Sequence, residues 1–241
     1  NVWCAAGKGT FGTDELVRRV ALTGLAGVVQ HRTLILPQLG ATGVSAHEVK
    51  RRCGFKVEYG PVRAEDLPAY LAAGSATPEM RQVRFNLEDR VVLIPVEMVH
   101  VLLPTLAATL ILGLLGGWAL GLGALAAVMA GTVLFPLLLP WLPTREFSVK
   151  GFVLGALTAL PFAIWSLLGR ARGPAWGAWA GALALMLATP AVAAHLALNF
   201  TGSTPLTSPT GVRREMFRYI RPMAVMGGLG VILAITAIIA H

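Results

Sequence analysis

The sequence predicts two parts of different class: a partial, Rossmann-like parallel α/β sheet over residues 1–96, then an all-α transmembrane domain of about five helices over 97–241. Three observations predict it. The chain is 55% hydrophobic and 13% charged, with a mean hydropathy of +0.67, too apolar for an ordinary soluble domain of 241 residues. The apolar residues are uneven, because residues 1–90 carry most of the acids while the remainder is dominated by Leu, Ala, Gly and Val. Within the polar part, short β-branched runs alternate with helical patterns, as in a parallel sheet whose ligand loops sit at strand ends.

Thr13 is placed to cap a helix running to about Val20, with Asp14 and Glu15 in its first turn and Arg18 and Arg19 near its end, each favourable to the helix dipole. Arg32–Pro37 reads as a buried strand. Gln38–Val44 is a Gly-rich loop leading to Ser45-Ala46-His47-Glu48, a capping-box pattern that opens a helix to Arg52. Phe55–Tyr59 reads as a second strand, Gly60-Pro61 as a turn, Ala64–Leu71 as a helix and Val91–Val96 as a last strand before the membrane.

From Glu97 onward five apolar stretches approach the roughly 20 residues a spanning helix needs: Met98–Leu115, Trp118–Leu139, Val149–Leu168, Ala175–Leu196 and Met223–Ala240. The breaks fall at Gly116-Gly117, Pro140–Arg145, Gly169–Pro174 and the polar stretch Asn199–Arg221. Gly113, Gly117, Gly121 and Gly155 suit close helix packing. His100 and His195 lie near span ends, where a hydrated interface satisfies them, and apart from Glu97 at the edge these stretches hold no Asp or Glu, which argues against proton-coupled transport.

A net charge of +8 raises the question of nucleic acid, but the bases flank apolar runs rather than studding one aromatic face, so no nucleic-acid partner is expected. With residues 1–96 cytoplasmic, the inner set is Arg81, Arg84, Arg90, Arg145, Lys150, Arg213, Arg214, Arg218 and Arg221, against Arg170 and Arg172 outside. That bias predicts a multi-pass protein of the inner membrane, in lipid, with His241 on the far side. The sequon Asn199-Phe200-Thr201 then faces the cytoplasm and stays unmodified.

Two cysteines, Cys4 and Cys53, are too few for an iron–sulfur cluster. The first residue is Asn1 and no leader is recognisable, so a further N-terminal portion is expected. Gly7-Lys8-Gly9-Thr10-Phe11-Gly12 matches G-x-G-x-x-G, but a preceding strand and an acid about 20 residues on are both missing, which removes a dinucleotide site; Lys8 followed by Gly9 also excludes a Walker loop.

The string Asn1-Val2-Trp3-Cys4-Ala5-Ala6-Gly7-Lys8 resembles the signature of the corrinoid proteins that methylate mercury in anaerobic bacteria and archaea, a family with a corrinoid-binding domain followed by about five membrane helices. The resemblance implies that Cys4 is the lower axial ligand of cobalt in cobalamin or a related corrinoid, with Trp3 and Lys8 on the cap beneath the ring. It implies methyl transfer from methyl-Co(III) to inorganic Hg(II), delivered as a thiolate complex. It also implies partners: a ferredoxin-like protein with two [4Fe–4S] clusters as electron donor, and a methyl donor linked to methyltetrahydrofolate. Independently, none of His31, His47, His100, His195 or His241 has Asp two positions earlier, so histidine ligation through Asp-x-His-x-x-Gly is excluded. A thiolate gives the metal more electron density than imidazole, and soft Hg(II) suits the methyl so released. Fold logic adds Gly40, Ala41, Thr42, Gly43 and Val44 after the first strand, and Tyr59, Gly60 and Pro61 after the second, as cofactor contacts, with ordinary turn chemistry as their other explanation. Cys53 reads as structural. Two other functions stay open: a corrinoid methyl carrier of the acetyl-CoA pathway type, and a membrane transporter with a cytoplasmic regulatory domain.

Overall fold

A computed structural model describes residues 5–6, 9–169, 174–200 and 209–240. It is 76% helical and divides into two compact units, residues 1–84 and 85–241.

In the first unit, Ala5 and Ala6 are helical, α1 spans Thr13–Leu22 and α2 spans Leu25–Val28. Strand β1 (Thr33–Leu36) leads into a 3-10 turn over Gln38–Thr42, then α3 (Ala46–Cys53), β2 (Lys56–Tyr59) and α4 (Leu67–Ala73). The strands pair in parallel, Thr33 opposite Lys56 through Leu36 opposite Tyr59, so β1, α3 and β2 make one β-α-β unit. Its core is Leu36, Val44, Val49 and Val57, with Phe11, Leu16, Val17 and Cys53 packed against them. Cys53 donates its thiol proton to the Val49 carbonyl at 3.2 Å, as a structural residue does.

The expected Rossmann-like sheet is absent: among the described residues the sheet has two strands. Two strands joined by one helix carry a single crossover and no reversal of strand order, the feature that makes a ligand crevice in an open α/β sheet. The strand expected over Val91–Val96 is helical, because Asn86 and Asp89 form a capping box at the head of α5 (Leu87–Val91) and Pro95 sits at the start of α6 (Ile94–Gly116), where a missing N–H is harmless. The capping box expected at Ser45 does not form. The Ser45 hydroxyl bonds His47 Nδ1 at 3.0 Å instead, and Thr13 accepts the Ser45 amide at 2.9 Å rather than capping α1.

The second unit continues with α7 (Trp118–Leu138), α8 (Phe147–Leu168), α9 (Ala175–Phe200) and α10 (Pro209–Ile239). With α6 these are five helices, among the described residues, long and apolar enough to cross a bilayer, and the protein is a membrane protein. Large apolar side chains face outward, Val99, Leu103 and Ile239 each above 70% exposed, which suits lipid and not water. Gly117 alone separates α6 from α7, at φ +92°, a region that glycine enters without penalty. The helices touch through glycines: a Cβ on Gly121 would lie 2.5 Å from the Thr109 carbonyl oxygen, one on Gly151 2.5 Å from Ala194 Cα and one on Gly155 2.6 Å from Pro190 Cα. Gly151 and Gly155 thus form a G-x-x-x-G face on α8 against α9.

The polar stretch Asn199–Arg221 is helical at both ends, and two of its charges, Glu215 and Arg218, meet partners. Helix α7 contains a π turn over Ala130–Leu134 ahead of Pro136, whose ring nitrogen cannot donate to the turn before it. Past that point α7 runs out of intrahelical donors, and buried Arg90 donates to the carbonyls of Pro136 and Leu137, both at 2.9 Å, while buried Lys150 donates to Leu139 at 2.7 Å. Each cation also opposes the negative end of the α7 dipole. The mirror arrangement serves α8, whose Ser148 amide donates to the buried Glu215 carboxylate; beside it Tyr219 donates to Glu146. Replacing Arg90 by Met is expected to leave two carbonyls undonated and lower stability by roughly 1–3 kcal/mol, measured by unfolding in mixed micelles, whereas Arg213→Met on an exposed turn should change it by under about 0.5 kcal/mol.

Candidate cofactor-binding site at the strand ends

Trp3, Cys4 and Lys8 lie outside the described residues. The Ala5 carbonyl, next along the chain from Cys4, accepts the Phe11 amide at 3.0 Å and the Thr10 hydroxyl at 3.1 Å, and the Ala6 carbonyl accepts the Gly9 amide at 3.2 Å. Ala6 is buried. The backbone next to Cys4 is therefore held in a closed loop that leads into α1, with Gly12 in extended conformation at its N-cap.

That loop rests on the segment after β1. A Cβ on Gly43 would lie 2.7 Å from the Phe11 carbonyl oxygen and 2.8 Å from that of Ala6, and one on Gly40 would lie 2.8 Å from the Phe11 ring. The Thr13 amide donates to the Gly43 carbonyl at 3.2 Å. The second strand end joins the same cluster: the Tyr59 hydroxyl donates to the Val44 carbonyl at 2.5 Å, and the Gln38 amide donates to the Pro61 carbonyl at 3.4 Å. Burial raises the Tyr59 phenol above its ordinary range, so it stays protonated at neutral pH and keeps this bond.

The residues expected at the strand ends are thus brought together, but they divide by surroundings. Gly40, Val44, Gly60 and Pro61 are buried in the unit, and the close face of Gly43 is filled by the Ala6 and Phe11 backbone. Ala41 and Thr42 are exposed beside them. The side-chain oxygen Oε1 of Gln38 is buried there without a partner among the described residues. A corrinoid brings its own equatorial nitrogens and asks the chain for one axial donor held at a fixed place. The donor expected for it, Cys4, lies outside the described residues; what the described residues hold is the backbone of Ala6, two residues past it, seated against Gly43. Elsewhere, among the described residues, no three His, Cys, Asp or Glu side chains gather as a metal site.

Two features of this cluster escape sequence reasoning. The close approach of Gly43 to Ala6 leaves no mark beyond the glycine itself, and Gln38 reads only as the start of a loop. No family model, no curated protein and no solved structure matches the chain.

Gly43→Ala is expected to push Ala6 and Phe11 away from the segment after β1, seen as faster amide hydrogen exchange at Phe11 and Thr13 with unchanged protection in the β1–β2 ladder. Tyr59→Phe should lower the melting temperature of the first unit, since the Val44 carbonyl loses its donor at a cost of about 1–3 kcal/mol.

Proposed function

We propose that the chain is a corrinoid-dependent methyltransferase of the inner membrane, passing a methyl group to inorganic Hg(II), presented as a thiolate complex, and so forming methylmercury. One observation carries this reading: the eight-residue string Asn1–Lys8, with Trp3 directly before Cys4 and Lys8 four residues after it. The five membrane helices later in the chain support it, because the family the string resembles pairs a corrinoid-binding part with about as many.

A bound corrinoid supplies a cobalt centre that can accept and release a methyl group. The part played by this chain is to present one sulfur. Cys4 would ligate as a thiolate, with Trp3 and Lys8 as the cap residues the resemblance implies beside it. Trp3 is a flat apolar side chain of the kind that would keep water from such a sulfur. The backbone at Ala5 and Ala6, one and two residues past Cys4, is held by the bonds from Phe11, Thr10 and Gly9 and by the seat at Gly43. As a strongly donating thiolate, Cys4 would favour release of a methyl group as a carbanion equivalent to an electrophile, and Hg(II) is a soft one. Ala41 and Thr42 are the exposed residues of the strand-end loop and would be the ones to contact a bound corrinoid there. With two cysteines the chain needs outside electrons, for which a ferredoxin-like protein with two [4Fe–4S] clusters is the proposed donor, and a methyltetrahydrofolate-linked system the proposed methyl source.

In cells carrying the complete coding sequence and the ferredoxin partner, Cys4→Ala is expected to drop methylmercury formation to background while the protein still reaches the membrane. X-ray absorption at the cobalt edge of the purified, cofactor-loaded protein should find one sulfur ligand, lost in Cys4→Ala. Unchanged methylation in the variant sinks the reading. Orientation is tested separately: alkaline phosphatase fused after His241 should be active, as the Lys and Arg bias places that end outside.

A further inference from the structure

Within the membrane unit, α6 and α10 form two walls of a groove of about 740 Å³ whose floor is α7 and α9. Its surface is almost wholly apolar, with Leu112, Leu120, Leu185, Ile220, Met223 and Ile238 among the lining residues. Two of the few polar groups on it are occupied: the Thr105 hydroxyl donates to the Val101 carbonyl at 2.5 Å, and the His195 ring is bonded to the Asn199 side-chain amide at 3.3 Å. On α10 the lining runs from Ile220 to Ile238, about 27 Å at 1.5 Å per residue, close to the roughly 30 Å of a hydrocarbon core.

The groove has unlike ends. At one, the walls meet, since a Cβ on Gly116 would lie 2.9 Å from Ile238 Cγ1. At the other, the lining stripe of α10 continues past Ile220 through Phe217 to Arg213, spacings of three and four residues that keep one helix face. The Arg213 guanidinium lies 5.7 Å over the Phe217 ring, and Arg221 adjoins Ile220. Of the other cations at this end, Arg90 and Lys150 are committed to helix carbonyls and Arg218 to Glu146. Arg213 and Arg221 meet no carboxylate among the described residues.

We propose that this groove seats the acyl chains of an anionic phospholipid, with its phosphate held by Arg213 and Arg221. The volume falls within the roughly 300–1,000 Å³ of sites for small ligands. A transmembrane helix from a second copy needs a channel of about 10 Å diameter along its whole length, which the meeting of Gly116 and Ile238 denies. Acyl chains are flexible and narrow, and the paired arginines match a phosphate better than a neutral headgroup.

The test uses the full chain, reconstituted in vesicles of equal phosphatidylglycerol and phosphatidylcholine, re-extracted in mild detergent and weighed by native mass spectrometry. The expected result is one phosphatidylglycerol retained per chain. Arg213→Gln with Arg221→Gln should lower the preference for phosphatidylglycerol at least about fivefold, the size of one or more lost surface charge contacts. Ala108→Phe with Gly227→Leu, which fills the groove where an added Cβ on Gly227 meets nothing within 4 Å, should abolish retention of either lipid. The arginine pair lies on exposed turns, so it decides the matter even if the filled groove fails to fold. Retention of detergent only, equal retention by all three proteins, or a dimer that the filled groove breaks overturns the proposal.

Discussion

The membrane unit depends on how the end of α7 is satisfied. A helix that stops near a bilayer surface leaves carbonyls that water reaches poorly, and each costs free energy unless a donor is brought to it. Here the donors are two buried cations from elsewhere in the chain, Arg90 from α5 and Lys150 from α8. The same logic with the sign reversed puts Glu215 of α10 at the amide end of α8. Three helix ends are thereby tied together by charge, and the apolar contacts of Phe135, Phe147 and Phe200 fill the space between.

Those side chains change how the charge pattern is understood. Lys and Arg near apolar runs set orientation by their number, a statement about insertion. Arg90 and Lys150 belong to that inner set, yet both are buried and hydrogen-bonded, so they also serve the fold. Arg213 and Arg221 remain on the surface. One category of residue in the sequence thus separates into helix caps and exposed cations only when partners are known.

Legibility in the sequence tracks the range of the interaction involved. The spans are readable because hydropathy sums over some 20 neighbouring residues, and β1, α3 and β2 because their patterns are local. The Rossmann-like sheet is an over-reading: β-branched Val91 and Val92 look like a strand, while the stronger signal, Asn86 with Asp89 three residues on, opens a helix. Glu215 is hidden in a polar stretch that resembles a loop, since its partner, the Ser148 amide, is 67 residues away. Gly43 stands out as a turn residue, but its contact with Ala6 joins segments whose meeting no local pattern records. Trp3, Cys4 and Lys8 are legible only as part of a string.

The single residue between α6 and α7 bears on biogenesis. With Gly117 as the whole connection, the two helices have no loop between them to carry across a bilayer, a geometry suited to entry as one hairpin with Gly113 packed against Gly121. A one-residue connection leaves no loop there to receive an inserted tag, an antibody epitope or a protease site.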